Sequence, residues 1–168
     1  MSVPLLRLRK ARSADTAKIL YLIRELAKYE KEPHAVETTE SDLKRDGFNK
    51  TPKFQAVIAE WSGKLAGMAF YFYHYSTWKG RAGLYLEDIF VRPEFRGKRI
   101  GEALMSYLAR AAIRQNCYGI RWEVLDWNKP SIRFYKNLGA RFREHWQAMQ
   151  LQGDDLGHLA GHVKPKRA

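Results

Sequence analysis

One segment limits the fold of this chain more than any other. A strand pattern at residues 83–91, a loop rich in glycine and arginine, a helical pattern at 101–115 and a second strand pattern at 118–125 follow one another. The stretch 85–91 is apolar on both faces of the pleat, as in a central strand. Because the crossover in a strand–helix–strand unit is right-handed, the two strands are expected to lie side by side and parallel.

Strand patterns also lie outside this unit. They cover residues 5–11, 54–61 and 64–75 before it, and one or two further strands are expected within 140–152. Short turns join 54–61, 64–75 and 83–91, which predicts an antiparallel meander. The whole pattern predicts an α/β fold (α+β mixed sheet) of about six to seven strands with helices on both faces.

Helical spacing is present at residues 14–29, 39–46 and 129–138. Ser13 is expected to cap the first of these helices, and Pro130 suits the first turn of the last. The helix at 101–115 is expected to bury a stripe made of Ile100, Leu104, Leu108 and Ala111.

Length and composition favour one globular domain over residues 1–168, with a basic tail at about 160–168. No apolar stretch is long enough to predict a membrane span. Cys117 is the only cysteine, so no internal disulfide or cysteine-based zinc site is expected, and a cytoplasmic protein without a metal is predicted. The formal net charge of +12 favours polyanionic ligands, either nucleic acid or a small ligand rich in phosphate.

The loop at residues 96–101 combines two glycines with Arg96, Lys98 and Arg99, directly before a helix. Glycine lets a backbone approach a ligand, and the N–H groups at a helix start favour a phosphate. The loop lacks the Gly-Lys-Ser/Thr ending of a nucleotide P-loop and the Gly-x-Gly-x-x-Gly of dinucleotide-binding proteins. The pattern therefore favours phosphate binding over an ordinary basic loop.

Two carboxylates, Glu87 and Asp88, stand in the middle of the apolar strand 85–91 and are expected to point to opposite sides. Burial either requires a partner, such as one of the many arginines, or raises the pKa of a carboxyl group. A raised pKa near the working pH suits a general base. Further along, Asn128 stands at a cap position, and its helix face also carries Tyr135.

These segments resemble the GNAT superfamily of acetyltransferases. Residues 96–101, Arg-Gly-Lys-Arg-Ile-Gly, resemble its motif A, Arg/Gln-x-x-Gly-x-Gly/Ala. Residues 125–131 and 134–140 resemble its motif B. Three further stretches are similar to the spermidine/spermine N-acetyltransferase branch, which includes the thialysine N-acetyltransferases: 23–30, 75–81 and 85–91.

The resemblance implies a GNAT fold and an N-acetyltransferase. Acetyl would pass from acetyl-CoA to the primary amine of a small lysine-like or polyamine substrate, by direct attack in a ternary complex. Glu87 is implied as the base and Tyr135 as the acid. The cofactor residues implied are Ile89, Phe90, Val91, Arg96, Gly97, Lys98, Arg99, Ile100, Gly101, Glu102, Asn128, Ser131 and Tyr135. The substrate residues implied are Tyr29, Glu30, Ser76, Trp78, Glu87 and Asp88.

Two positions refine this expectation. Arg99 replaces the central glycine of motif A, where an arginine needs room and a negative φ. Ser76 stands where the polyamine enzymes carry an aspartate and the thialysine type a serine, which favours a thialysine-like amine. The branch also implies a homodimer. The alternatives are a basic nucleic-acid-binding protein and a GNAT domain that acetylates protein lysines.

Overall fold

The computed structural model of the chain describes residues 5–162. It divides into two compact units with a boundary between Trp127 and Asn128, and each is described by itself. The prediction of one domain over 1–168 stays a prediction. Of the predicted basic tail, residues 163–168 lie outside the described residues.

The first unit contains a five-stranded sheet with the strand order β1-β2-β3-β4-β5. The first four strands pair antiparallel, and β4 pairs with β5 in parallel. Both the predicted meander and the predicted parallel pair are therefore confirmed. The strands are β1 (Leu6–Lys10), β2 (Gln55–Trp61), β3 (Lys64–Ser76), β4 (Arg81–Val91) and β5 (Ile120–Arg121).

Helices cover both faces of this sheet, as the sequence predicts. On one face, α1 (Thr16–Tyr29) and α2 (Glu40–Gly47) enclose a core that includes Ile58, Met68 and Phe90. On the other, α3 (Ile100–Arg114) buries its predicted stripe of Ile100, Leu104, Leu108 and Ala111. The side chain of Val57 alternates with that of Ile58 along β2 and is fully buried on the α3 side.

The start of α1 differs from the prediction, because Ser13 does not cap it. Residues Ser13–Asp15 form a 3-10 turn, and Asp15 stands before the helix. The Asp15 carboxylate accepts hydrogen bonds from the Arg9 guanidinium at 2.7 and 2.8 Å and from the Arg12 N–H at 2.8 Å. The Arg9 hydrogen bonds hold the pKa of the buried Asp15 well below its usual range. A charged pair thus fixes this helix start, where the sequence suggested a hydroxyl.

Strand β4 contains a β-bulge at Glu87. Phe70 of β3 lies opposite Asp88, whereas the next residue of β3, Tyr71, lies opposite Leu86. Glu87 is the extra residue, so the regular alternation on which the sequence prediction relied is interrupted there. Glu87 is exposed, which corrects the expectation that both carboxylates are buried.

The second unit contains α4 (Lys129–Asn137) and α5 (Asp154–His162). The strands predicted within 140–152 are wrong, because these residues form no strand among the described ones. A strand needs a neighbour for its backbone hydrogen bonds, which a local pattern of side chains does not supply. Helix α5 was not predicted, although Asp154 and Asp155 in its first turn are a typical helix start.

Candidate active site

Strands β4 and β5 separate after a short parallel contact. They pair only at Leu84 with Ile120 and at Tyr85 with Arg121. Beyond this contact β3 still pairs with the other edge of β4, up to Val91. Of the strand predicted at 118–125, only the two residues of β5 are observed. The bulge in β4 follows directly after the last residue that pairs with β5. Among the described residues the β4 edge beyond Tyr85 has no neighbouring strand, so an extended ligand with amide groups could pair with it.

The glycine- and arginine-rich loop leads into α3 as predicted. Gly97 has a φ of 75°, a left-handed conformation that glycine adopts without strain. Helix α3 starts at Ile100, and no side chain caps its first turn. The N–H groups of Ile100, Gly101 and Glu102 lie in the first turn of α3 and therefore have no acceptor within the helix. This helix start is therefore suited to a phosphate.

Arg99 corrects the expectation of a negative φ at this position. It lies immediately before α3 with a φ of 59°, in the left-handed region that favours glycine. Its guanidinium donates to the Glu102 carboxylate from Nε at 2.9 Å and from Nη2 at 2.8 Å. The exposed ion pair gives the arginine a partner in the first turn of the helix, which sequence reasoning did not foresee.

The two other cations of the loop contact the protein as well. The Arg96 Nε donates to the Val91 carbonyl oxygen at 3.1 Å, at the end of β4. The Lys98 Nζ lies 5.1 Å from the centroid of the Trp61 ring. Arg96 therefore links the loop, which is predicted to bind phosphate, to the end of β4, where Ile89, Phe90 and Val91 are predicted to hold the cofactor.

Three carboxyl groups interact near the bulge. Burial raises the pKa of Asp88 to about 7, and the charges of Glu87 and then Glu30 add to the effect. Burial also raises the pKa of Glu30, which follows the last residue of α1. The structure thus brings the predicted substrate residues Glu30, Glu87 and Asp88 into one electrostatic cluster. Its pKa singles out Asp88, whereas the sequence analysis singled out Glu87.

An aromatic contact adjoins this cluster. The ring of Tyr29, the residue before Glu30, lies 6.2 Å from that of Trp127 between centroids. The Arg96 guanidinium carbon lies 5.0 Å from the centroid of Tyr29. Trp127 was missed as a site residue, although the motif around it was recognised. Only the folded chain shows that it meets the end of α1.

Two predicted substrate residues lie elsewhere. Ser76 is at the end of β3, six residues beyond Phe70, the neighbour of Asp88. That separation is about 20 Å along an extended strand. The Ser76 Oγ accepts a hydrogen bond from the Lys79 N–H at 3.3 Å within the β3–β4 turn, and Trp78 in the same turn is 85% exposed. Within the chain, these two residues are not brought together with the carboxyl cluster.

The second unit carries the remaining predicted residues on α4. The Ser131 N–H donates to the Asn128 Oδ1 at 3.3 Å, so Asn128 caps this helix as predicted. Asn128 and Tyr135 are both buried. A cap role for Asn128 and burial of Tyr135 are thus observed, and their catalytic and cofactor roles stay predictions.

The comparisons with known proteins identify the family. The model of the acetyltransferase (GNAT) family matches residues 19–140. The chain belongs to the GNAT family. It is an N-acetyltransferase of mixed α/β GNAT fold, with five strands described where six to seven were predicted. The family match runs across both compact units.

Individual GNAT relatives agree with this assignment. The thialysine N-epsilon-acetyltransferase of Bos taurus is 40% identical over 165 residues, which cover 92% of this chain and 96% of that one. The spermidine/spermine N(1)-acetyltransferase-like protein 1 of Homo sapiens is 36% identical over 95% of this chain and 24% of its own length. A solved integron cassette protein from V. cholerae is similar with a TM-score of 0.80 and 26% identity, covering 94% of this chain and 99% of that one.

Two kinds of site are absent from residues 5–162 of this GNAT chain: a membrane-spanning helix and a cluster of metal ligands. None of the helices within residues 5–162 is long and apolar enough to cross a membrane. No group of three or more histidine, cysteine, aspartate or glutamate side chains in that range could hold a metal ion.

Proposed function

We propose that this chain transfers an acetyl group from acetyl-CoA to the primary amine of a small lysine-like or polyamine substrate, by direct attack in a ternary complex. The observation that carries the proposal is the adjacency of three features in the first unit. The unpaired edge of β4, the uncapped start of α3 and the carboxyl cluster at the bulge all adjoin the last residues of β4.

The residues present fit acetyl-CoA. The β4 edge offers backbone groups to the amides of the pantetheine arm, and the start of α3 offers N–H groups and nearby cations to the phosphates. Acetyl-CoA supplies the activated acetyl thioester. In the first unit, the residues proposed to hold it are Ile89, Phe90, Val91, Arg96, Gly97, Lys98, Arg99, Ile100, Gly101 and Glu102. In the second unit they are Asn128, Ser131 and Tyr135, on the basis of the motif resemblance.

Proton transfer would fall to the carboxyl cluster and to one tyrosine. An alkyl ammonium has a pKa of about 10.4 and must lose a proton before the nitrogen can attack. Glu87 is proposed as the base on resemblance. Asp88 is a second candidate, because a carboxyl group with a pKa of about 7 matches the working pH of a general base. Tyr135 is proposed to donate a proton to the departing thiolate from its hydroxyl group.

The substrate pocket is proposed to combine negative charge with aromatic surface. Glu30 and Asp88 would attract the ammonium, and Tyr29 would cover its alkyl chain. Ser76 and Trp78 belong to the stretch that is similar to the thialysine type, and the similarity to the thialysine acetyltransferase of Bos taurus supports a lysine-like amine. The similarity to the human spermidine/spermine N(1)-acetyltransferase-like protein 1 supports a polyamine as the other candidate substrate.

A homodimer in a reducing cytoplasm completes the proposal. Residues 140–152 form no strand in the described chain. Large apolar side chains among them are exposed, and the exposed fraction is 60% for Trp146 and 96% for Met149. Such apolar surface typically marks a contact with another chain. The single Cys117 is compatible with a compartment that keeps thiols reduced.

The test is coenzyme A release from acetyl-CoA with a panel of amines: thialysine, lysine, spermidine, spermine and a simple diamine. Turnover is expected with at least one of them, and thialysine is expected to have the highest kcat/KM. Turnover of lysine-containing peptides without turnover of any small amine would contradict the proposal and favour protein lysines as acceptors.

A further inference from the structure

Helix α1 ends in a geometry that favours glycine, yet a lysine stands there. The N–H of Lys31 donates to the Lys28 carbonyl at 3.2 Å, and that of Glu32 donates to the Ala27 carbonyl at 2.9 Å. This pair of hydrogen bonds is a Schellman closure, whose left-handed position is usually glycine. Lys31 occupies it with a φ of 68°. The lysine therefore carries a conformational cost that glycine would not carry at this position. Such a cost suggests that its side chain has a function.

The side chain of Lys31 reaches the aromatic contact beside the carboxyl cluster. Its Nζ lies 4.9 Å from the centroid of the Trp127 ring, which also meets Tyr29. Lys31 is exposed, and its ammonium forms no ion pair with a carboxylate of the described residues. One face of the ammonium rests on an aromatic ring, and its remaining hydrogens are left for an anion.

The charges around this point change sign over one residue. Glu30, directly before Lys31, interacts electrostatically with Asp88 in the cluster proposed to receive the reacting ammonium. The Lys31 Nζ lies over the Trp127 ring, and this ring contacts Tyr29, the residue before Glu30, so a positive charge lies beside the negative site. A substrate bound with its reacting amine at the carboxylates would extend its other end past a cation.

We propose that Lys31 determines substrate specificity by binding the carboxylate of a lysine-like amino acid. The inference rests on the proposed function and deepens it. A lysine-like amino acid carries a carboxylate at the end opposite to its reacting amine, which Lys31 attracts. A diamine or polyamine carries another ammonium instead, which Lys31 repels. Lys31 therefore selects amino acids over polyamines, and it acts on binding, since it does not touch the reacting atoms.

The experiment compares two substrates that differ only by the carboxylate: thialysine and its decarboxylated analogue, 2-(2-aminoethylthio)ethylamine. The ratio of their kcat/KM values is measured for the wild type and for Lys31→Gln, Lys31→Gly and Lys31→Arg. The ratio of thialysine to analogue is expected to fall about fivefold in the Gln and Gly variants, the size of one partly exposed ion pair, mainly through KM. Lys31→Arg keeps the charge and is expected to keep the ratio.

Controls separate specificity from folding. Lys31→Gly suits the left-handed position, so its melting temperature is expected to equal or exceed that of the wild type. Lys64→Gln removes an exposed lysine at the start of β3 and should leave the ratio unchanged. An unchanged ratio in both neutral Lys31 variants, or an equal fall in Lys31→Arg, would overturn the inference alone. No turnover of any amine by the wild type would overturn both the inference and the proposed function.

Discussion

Single residues of the site combine an electrostatic or conformational cost with a position next to the chemistry. Burial and the charges of two other carboxyl groups raise the pKa of Asp88 to about 7. Lys31 and Arg99 take left-handed backbone conformations that most side chains avoid. Such costs are tolerated where the surrounding fold enforces them, and they gather at functional sites. Lys31 follows the end of α1 and Arg99 directly precedes α3, whereas Asp88 lies within β4 beside the bulge.

The raised pKa of Asp88 predicts how stability changes with pH. Between the ordinary value of 3.8 and about 7, the folded state binds more protons at this group than the unfolded state does. Its contribution to stability therefore falls as the pH rises through that window. Asp88→Asn removes this loss, so its free energy of unfolding relative to the wild type is expected to be higher at pH 8 than at pH 4.5.

Urea denaturation at both values measures the difference, with Glu144→Gln, at an exposed position, as the control. A relative stability of Asp88→Asn that does not change with pH, or that is higher at pH 4.5, would contradict the raised pKa.

At the scale of elements, the last residues of β4 and the first turn of α3 form one continuous segment, and two devices shape it. The pairing of β4 with β5 stops at Tyr85, the bulge at Glu87 follows, and the edge of β4 beyond is open. The left-handed Arg99 turns the chain into α3 without a side-chain cap. The first device leaves backbone groups for an extended ligand, and the second leaves N–H groups for an anion.

The conformation of Arg99 predicts the stability of two variants. Arg99→Gly removes the cost of a left-handed side chain, roughly 1 kcal/mol, and loses an exposed ion pair that contributes less. Its melting temperature is expected to rise by about 2–4 °C. Arg99→Ala keeps the conformational cost and loses the ion pair, so its melting temperature should fall. Differential scanning calorimetry distinguishes the two, and a lower melting temperature for Arg99→Gly would show that the ion pair dominates.

At the scale of the whole molecule, the sequence correctly predicted the structural features that a local pattern of residues determines. The apolar stripe of α3, the meander and the Asn128 cap follow from spacing that neighbouring residues enforce. The strands predicted within 140–152 failed, because a strand depends on a neighbour far away in the chain. The bulge at Glu87 and the contact of Lys31 with Trp127 were missed for the same reason.

For the site, too, the sequence predicted the features that lie in one stretch of chain and missed those that depend on distant contacts. Residue types and their spacing singled out the glycine- and arginine-rich loop and the carboxylates of β4, each of which is contiguous in the sequence, and the motif resemblance added roles for them. The sequence did not show that Glu87 is exposed while Asp88 has the raised pKa, because the bulge between them depends on the pairing of β4 with β3. Ser76 and Trp78 were assigned to the substrate from a matching string, and the structure places them about 20 Å along β3 from the neighbour of Asp88.

Amide hydrogen exchange of the full chain, with and without acetyl-CoA, tests the central claim most directly: that the open edge of β4 and the start of α3 hold the acetyl donor. Saturating acetyl-CoA is expected to slow exchange at least about tenfold for Ile100, Gly101 and Glu102, whose N–H groups lack helical acceptors, and to slow it in 89–91. Exchange in β1, Leu6–Lys10, should not change. Binding of acetyl-CoA with no protection at either segment, or no binding at all, would contradict the account.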